Sequence, residues 1–365
     1  MRIGIDAFPL SGNIAGIGRY VFEISKILCE KLKGADFFLY SRKPIKMSIA
    51  SSRVHYRTGG IRMPSSYSWL KFCVGTMARK DKVDIFWSTR TILPLQTKIF
   101  KTVSTVHDLN HLLFPKSMPL VTLIVHKLWF NSDIQKADAV VANSIGTSKR
   151  LNALLGVKVD AIARPGVSSP FGLQSTEFVK ARLSALKISN PYFLTVGTVE
   201  PRKNFPTLIK AFISLKNQGE LAQYGLLIVG SQGWKSRTFL SQLDESKKYG
   251  IRWLGFVKDE DLAALYAGSK AFILPSLYEG FGIPVAEARA CGAQIIASDI
   301  PELREAGGPK GIYVKPTIKG ICEALLQVAN SPNGTVLDYG KPPSWAEAGD
   351  TMVDVFKTLM EKSSA

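Results

Sequence analysis

Along the chain, apolar runs of four to seven residues alternate with stretches in which apolar positions recur at helical spacing. In the first half these runs predict strands over 2–6, 36–40, 83–87, 102–106, 138–142 and 158–163, with helices over 19–33, 119–136 and 144–155 between them. Such alternation points to a parallel sheet covered by helices on both faces. The pattern breaks at Arg164-Pro165-Gly166-Val167-Ser168-Ser169-Pro170, a run of turn formers without periodicity, which reads as a linker. It then restarts, with strands predicted over 192–198, 225–229, 251–257, 270–274, 294–297 and 312–314 and helices after most of them. A final amphipathic stretch over 345–361 follows Lys341-Pro342-Pro343. The economical reading is an α/β chain of two doubly wound domains, 1–168 and 169–343, with a terminal helix in 344–365 that crosses back to the first. Open α/β sheets take ligands beyond the carboxyl ends of their strands, so two such sheets facing each other would hold a ligand in the cleft between them.

Composition narrows the class. With 46% hydrophobic and 21% charged residues in 365, the chain is neither disordered nor collagen-like nor a disulfide scaffold. No apolar run approaches the roughly 18 residues a membrane span needs, and Arg2 to Asp6 already reads as a strand with no leader pattern before it. Cys29, Cys73, Cys291 and Cys322 form no CxxC pair and have no His at zinc spacing, so they are expected to be reduced thiols of a cytosolic protein, with no metal site. The net charge of +18 is uneven: residues 1–170 carry 25 Lys and Arg against 10 Asp and Glu, whereas 171–365 carry 22 against 19. Within 42–101 there are 13 basic residues against Asp81 and Asp84, interleaved with Tyr56, Tyr67, Trp69 and Phe72. A solvated surface is one explanation. An anionic membrane face is the partner such a surface suits best, and nucleic acid, for which no motif is visible, ranks behind it.

Two segments carry the chemistry. The first is Ser276-Leu277-Tyr278-Glu279-Gly280-Phe281-Gly282-Ile283-Pro284-Val285-Ala286-Glu287, between a predicted strand and a helix with Pro284 near its start. Glu279 lies in the loop and Glu287 two turns into the helix. The glycines let backbone amides approach a ligand at an anion-favouring helix N-terminus, and a carboxylate there can accept from paired sugar hydroxyls. The second is Val196-Gly197-Thr198-Val199-Glu200-Pro201-Arg202-Lys203-Asn204, where a strand also ends and Asn204 is placed to cap a helix. Arg202 and Lys203 at the sheet's ligand edge suit a diphosphate, Arg bidentately and Lys as a point charge. Taken singly, the residues of the first segment fit a turn with a helix-surface Glu equally well, and an Arg-Lys pair alone is more often a solvated surface feature. Asp259-Glu260-Asp261 spells a metal-binding DxD, but acids in a helix's first turn explain it.

Together these segments resemble the retaining glycosyltransferases of family 4, particularly bacterial mannosyl- and rhamnosyltransferases of surface-polysaccharide synthesis. Gly16-Ile17-Gly18-Arg19-Tyr20, Val106-His107-Asp108, Gly255-Phe256-Val257 and Ser344-Trp345 extend the likeness over most of the chain. The resemblance implies a GT-B fold, two facing Rossmann-like domains with the donor site in the cleft. It also implies the site: Arg202 and Lys203 on the donor diphosphate, Glu287 on the nucleotide ribose, and Glu279 with the Phe281 and Gly282 amides on the transferred sugar. Backbone near Val257 would meet the base, Gly16 would approach the diphosphate, and His107 would lie by the sugar and the acceptor. His55, His111 and His126 match no motif. The sequence departs from the family pattern at Leu303-Arg304-Glu305, more charged than usual, and over 330–343, which looks shortened.

The resulting expectation is a metal-independent, cofactor-free enzyme that moves a hexose from a nucleotide sugar, GDP-mannose before a UDP-hexose, to a saccharide acceptor, lipid-linked ones included. It would work in polysaccharide or lipopolysaccharide biosynthesis, in the cytoplasm, peripheral to the inner face of the membrane. A GT-B sugar-nucleotide epimerase and a basic non-catalytic nucleic-acid-binding protein are the alternatives.

Overall fold

The computed structural model describes residues 1–12, 16–234, 237–332 and 337–364. The chain forms two compact units, Met1–Gly166 with Ser344–Ala365, and Val167–Pro343.

The first unit is built on a seven-stranded sheet of β1 (Arg2–Asp6), β2 (Asp36–Ser41), β3 (Val54–Thr58), β4 (Ile85–Ser88), β5 (Lys101–Val106), β6 (Ala139–Ala142) and β7 (Ala161–Ile162). All pairs are parallel, in the order β3-β2-β1-β4-β5-β6-β7. Strands β2 and β4 are apolar on both faces: Phe37, Leu39, Ile85 and Trp87 enter one core cluster, and Phe38, Tyr40 and Phe86 enter another. The helix Ile17–Lys31 turns Tyr20, Val21, Ile24 and Leu28 into this core at helical spacing. The terminal helix Trp345–Ser364 lies on it through Ala348, Met352 and Phe356. Gly349 permits the close approach, since a Cβ there would lie 2.4 Å from the Ile27 side chain.

Strand β3 is absent from the sequence expectation. Its Val-His-Tyr-Arg-Thr run buries only Val54, because β3 is an edge strand paired on one side alone. Polar and charged residues are how edges resist further pairing, and they also erase the apolar signal. The run 66–80 also differs: it is helical, with a π-turn at Leu70–Val74 in its middle.

The second unit carries a six-stranded parallel sheet of β8 (Tyr192–Val196), β9 (Gly225–Val229), β10 (Ile251–Gly255), β11 (Ala271–Leu274), β12 (Ile295–Ser298) and β13 (Ile312–Val314), in the order β10-β9-β8-β11-β12-β13. Both sheets thus run outward in one direction from their first strand and then reverse. The reversal falls between β1 and β4 in the first and between β8 and β11 in the second. There, successive crossovers leave for opposite sides and open a crevice at the strands' carboxyl ends.

Candidate active site

In the second unit the two segments singled out in the sequence leave neighbouring strands. Phe193 of β8 pairs with Ala271 of β11, so the loop after Val196 and the loop after Leu274 emerge side by side at the crevice. The first continues through Gly197 into a tight turn at Pro201–Lys203, and the second runs to the helix Ile283–Ala290.

These loops bring Arg202, Lys203 and Glu279 into direct contact. Arg202 donates to Glu279 Oε2 and to the Tyr278 carbonyl, both at 2.6 Å, and Lys203 Nζ donates to Glu279 Oε1 at 2.6 Å. Two further residues complete the cluster. Glu200 accepts from Arg202 at 2.5 Å, and Ser276 Oγ donates to Glu279 Oε1 at 2.7 Å. Sequence reasoning passed over both, although Glu200 stands two positions before Arg202 and Ser276 three before Glu279. The Lys203 stem reaches Glu279 across Gly197, whose missing Cβ would stand 3.2 Å from Lys203 Cε.

Glu200, Lys203 and Glu279 are buried, so the charges must compensate one another. Burial alone would push the Glu279 carboxyl up. The Arg202 and Lys203 charges, with hydrogen bonds from Lys203 and Ser276, outweigh it and hold the group at about 2. Glu200 moves the other way: burial, helped by the Glu279 charge, raises it in spite of Arg202 and Lys203.

Asn204 does not cap the helix Phe205–Asn217 with its side chain, as its position suggested. Its backbone adopts a left-handed conformation (φ 57°). Its amide Nδ2 donates to the carbonyls of Pro275 at 3.2 Å and Pro316 at 3.0 Å, while Thr207 donates to its Oδ1 at 2.6 Å. It therefore ties three strand-end loops together.

Gly282 sits at the N-cap of Ile283–Ala290 with φ 105°, and a Cβ there would lie 2.5 Å from Leu303 Cδ2. Among the described residues, the amides of Phe281 and Gly282 find no acceptor. Inside the helix, Glu287 is buried and accepts from the Tyr266 hydroxyl at 3.2 Å, a partner that no sequence pattern announced. Val257 is half-buried just beyond β10. Asp259, Glu260 and Asp261 open the helix Asp259–Ala267, with Asp261 accepting from Arg182 at 3.2 Å.

The first unit gathers its own polar residues at its reversal point. Asp6, closing β1, is fully buried and takes a bidentate pair of bonds from Arg90, just past β4, at 2.8 and 3.0 Å. The Arg90 guanidinium lies 4.7 Å from the Phe8 ring and 4.6 Å from the Tyr67 ring. His107 follows β5, meets Tyr20 edge-on at 4.9 Å, and lies 2.9 Å through Nε2 from the Thr89 carbonyl, so Nε2 carries the proton. Burial lowers its pKa to about 4 against the opposing Thr89 bond and Asp108 charge, so the ring is neutral near pH 7. His111, packed on Phe130 at 4.1 Å, is likewise lowered to about 4, by burial and then by His126. Gly16, with φ 50°, caps Ile17–Lys31, and among the described residues beyond its chain neighbours no atom lies within 4 Å of where its Cβ would be. The loop residues 13–15 beside it fall outside the described residues.

Comparison with known proteins agrees with this architecture. Residues 181–339 match the family model for glycosyl transferases group 1. The O-antigen chain mannosyltransferase B of Escherichia coli is 26% identical over 98% of this chain and 100% of its own length. Among solved structures, a sucrose-phosphate synthase from Thermosynechococcus elongatus superposes with a TM-score of 0.78 at 17% identity, over 99% of each chain. The Anabaena protein HepE in complex with UDP-glucose gives 0.66 at 15% identity, over 100% of this chain and 99% of its own. At those identities the two structures speak for the fold, which is GT-B.

Proposed function

We propose that this chain, whose second unit matches the family model for glycosyl transferases group 1, transfers mannose from GDP-mannose, with retention, to a saccharide acceptor of surface-polysaccharide assembly. Mannose rests on the O-antigen mannosyltransferase relative, similar over its full length. The observation that carries the site is the Arg202–Lys203 pair, anchored on Glu279 where β8 and β11 part.

In this reading the donor diphosphate lies against Arg202 and Lys203, and the transferred sugar accepts from the Phe281 and Gly282 amides at the helix N-terminus. An ammonium has three protons, and Lys203 commits one of them to Glu279. A carboxylate offers about four lone-pair sites, and Arg202, Lys203 and Ser276 occupy three of those on Glu279. The remaining site is assigned to a hydroxyl of the transferred sugar. Glu287 is assigned to the ribose hydroxyls and the backbone at Val257 to the base. Gly16 is assigned to the diphosphate, and His107, with its neutral ring, to the sugar.

The C1–O bond to the diphosphate breaks with its electron pair going to the leaving oxygen. The acceptor hydroxyl forms the new C1–O bond on the same face, and its proton passes to the departing phosphate. Charge builds on the diphosphate, so preorganised cations there supply most of the rate enhancement. No metal or cofactor is assigned a part. An anionic membrane face is the assigned place of work.

A thermal-shift panel followed by product analysis tests this. GDP and GDP-mannose should stabilise the protein more than UDP or UDP-hexoses do, and EDTA should leave transfer intact. The product should carry an α-linked mannose. Preference for uridine nucleotides would overturn the donor assignment, and donor turnover without an acceptor-linked product would replace the transferase reading with an epimerase.

A further inference from the structure

The helix Leu120–Lys136 of the first unit is apolar on two opposite sides. One side is core: Val125, Phe130 and Ile134 are buried. On the other, Leu120, Val121, Ile124 and Leu128 are exposed at 70, 58, 47 and 63%. At 100° per residue these four span a stripe about 100° wide, directed away from the core. Scattered exposed leucines need no explanation, whereas a contiguous apolar patch marks a docking surface.

The charge around the patch selects its occupant. Between Asp108 and Asp133 the sequence contains no acidic residue, and Asp133 is buried against Lys71. Lys116 and Lys127 are exposed on the approach to the stripe and along it. An apolar stripe with cations and no acid in its own stretch of chain matches an anionic lipid surface, where apolar side chains enter the acyl boundary and lysines stay with the phosphates. No helix among the described residues is long and apolar enough to cross a membrane, so such a contact is one of lying on it.

We propose that the exposed face of Leu120–Lys136 is the surface by which this enzyme docks on an anionic bilayer, resting on the reading that it works at a membrane. It locates the contact in this helix, outside the basic segment 42–101. Sedimentation with phosphatidylcholine vesicles, with and without phosphatidylglycerol, tests it on the full chain. Wild type should pellet with the anionic vesicles only. Leu120→Ser/Ile124→Ser/Leu128→Ser should lower the partition coefficient at least about tenfold, the scale of losing a single buried aliphatic side chain. Lys116→Glu/Lys127→Glu should weaken binding and flatten its salt dependence. Both variants should keep the wild-type melting temperature and GDP affinity. Undiminished pelleting of the triple variant would overturn the proposal, as would wild type remaining in the supernatant. So would a wild-type dimer that the triple variant dissociates with no change in vesicle binding, since the patch would then belong to a second copy. Loss of GDP binding by the wild type would instead refute the transferase reading and leave the docking result standing.

Discussion

Glu279 holds the site's two cations, and its removal should be felt in stability as well as in turnover. Its carboxyl is held at about 2, against an ordinary 4.5. Between those values the unfolded chain takes up a proton that the folded chain refuses. The group's contribution is therefore complete above about pH 4.5 and lost as pH falls toward 2, with a size of roughly 3 kcal/mol. Glu200 offsets part of it, because a raised carboxyl costs stability as pH rises through its ionisation. Glu279→Gln should accordingly lower stability to urea at pH 7 by about that amount, with the gap to wild type closing near pH 2. Equal urea midpoints at pH 7 would show that the carboxylate does not hold the cations. Arg202→Ala should lower turnover at saturating donor by roughly 10²–10³, the scale for one preorganised donor to developing charge, while nucleoside binding survives. Near-normal turnover would remove Arg202 from the mechanism. The names of Arg202, Lys203 and Glu279 were legible in the sequence. Their mutual pairing was not, because it depends on β8 and β11 being neighbours across more than seventy intervening residues.

At the level of elements, the strand-to-helix turn at Gly282 is the most demanding. Its left-handed backbone and the Leu303 methyl 2.5 Å from a Cβ position leave room only for glycine. Gly282→Ala should cost more than about 1 kcal/mol and weaken nucleotide binding, whereas Gly34→Ala, with open space and no positive φ, should be nearly silent. Chemical denaturation and calorimetry with GDP separate the two. The segment after β5 responds to acid. His107 and His111 are lowered to about 4 from 6.5, so the unfolded chain protonates first, and the stability they lend is complete above about 6.5 and lost as pH falls toward 4. His111→Phe, which keeps an aromatic ring against Phe130, should shrink the fall in melting temperature between pH 7 and 5. An unchanged fall would show that His111 does not titrate on unfolding. Strand β9 was legible to the residue because both of its faces are buried and leave only apolar side chains, and the half-buried edge strand β13 was legible because its Ile-Tyr-Val run is apolar all the same. The edge strand β3, with His55 and Arg57 in its run, was invisible, and the π-turn at Leu70–Val74 has no periodicity of its own to announce it.

For the whole molecule, net charge locates the basic half but overstates the basic surface. Within 42–101, Arg90 is buried on Asp6, Arg57 is bidentate on Asp81, and Arg53 donates to the carbonyls of Leu32 and Ala35. Lys71 pairs at 2.5 Å with Asp133, whose other oxygen accepts from the Leu93 amide at 3.0 Å, and both side chains are buried. These cations hold loops and helices to the sheet, so only the remainder, Lys43, Lys80 and Lys98 among them, faces solvent. Two charge reversals should therefore act through different physics. Lys71→Glu places a second carboxylate against Asp133 in a buried site and should cost on the order of 3–5 kcal/mol, read as a large drop in melting temperature. Lys43→Glu/Lys80→Glu/Lys98→Glu removes three times as much positive charge but should leave stability within about 0.5 kcal/mol per site. Its effect should appear in the attraction to anionic vesicles, strongest at low salt and fading as the Debye length shortens. If the triple reversal melts early while Lys71→Glu does not, the division between structural and surface cations is wrong. If it leaves vesicle binding untouched at low salt, the attraction comes from the lysines beside the apolar stripe alone.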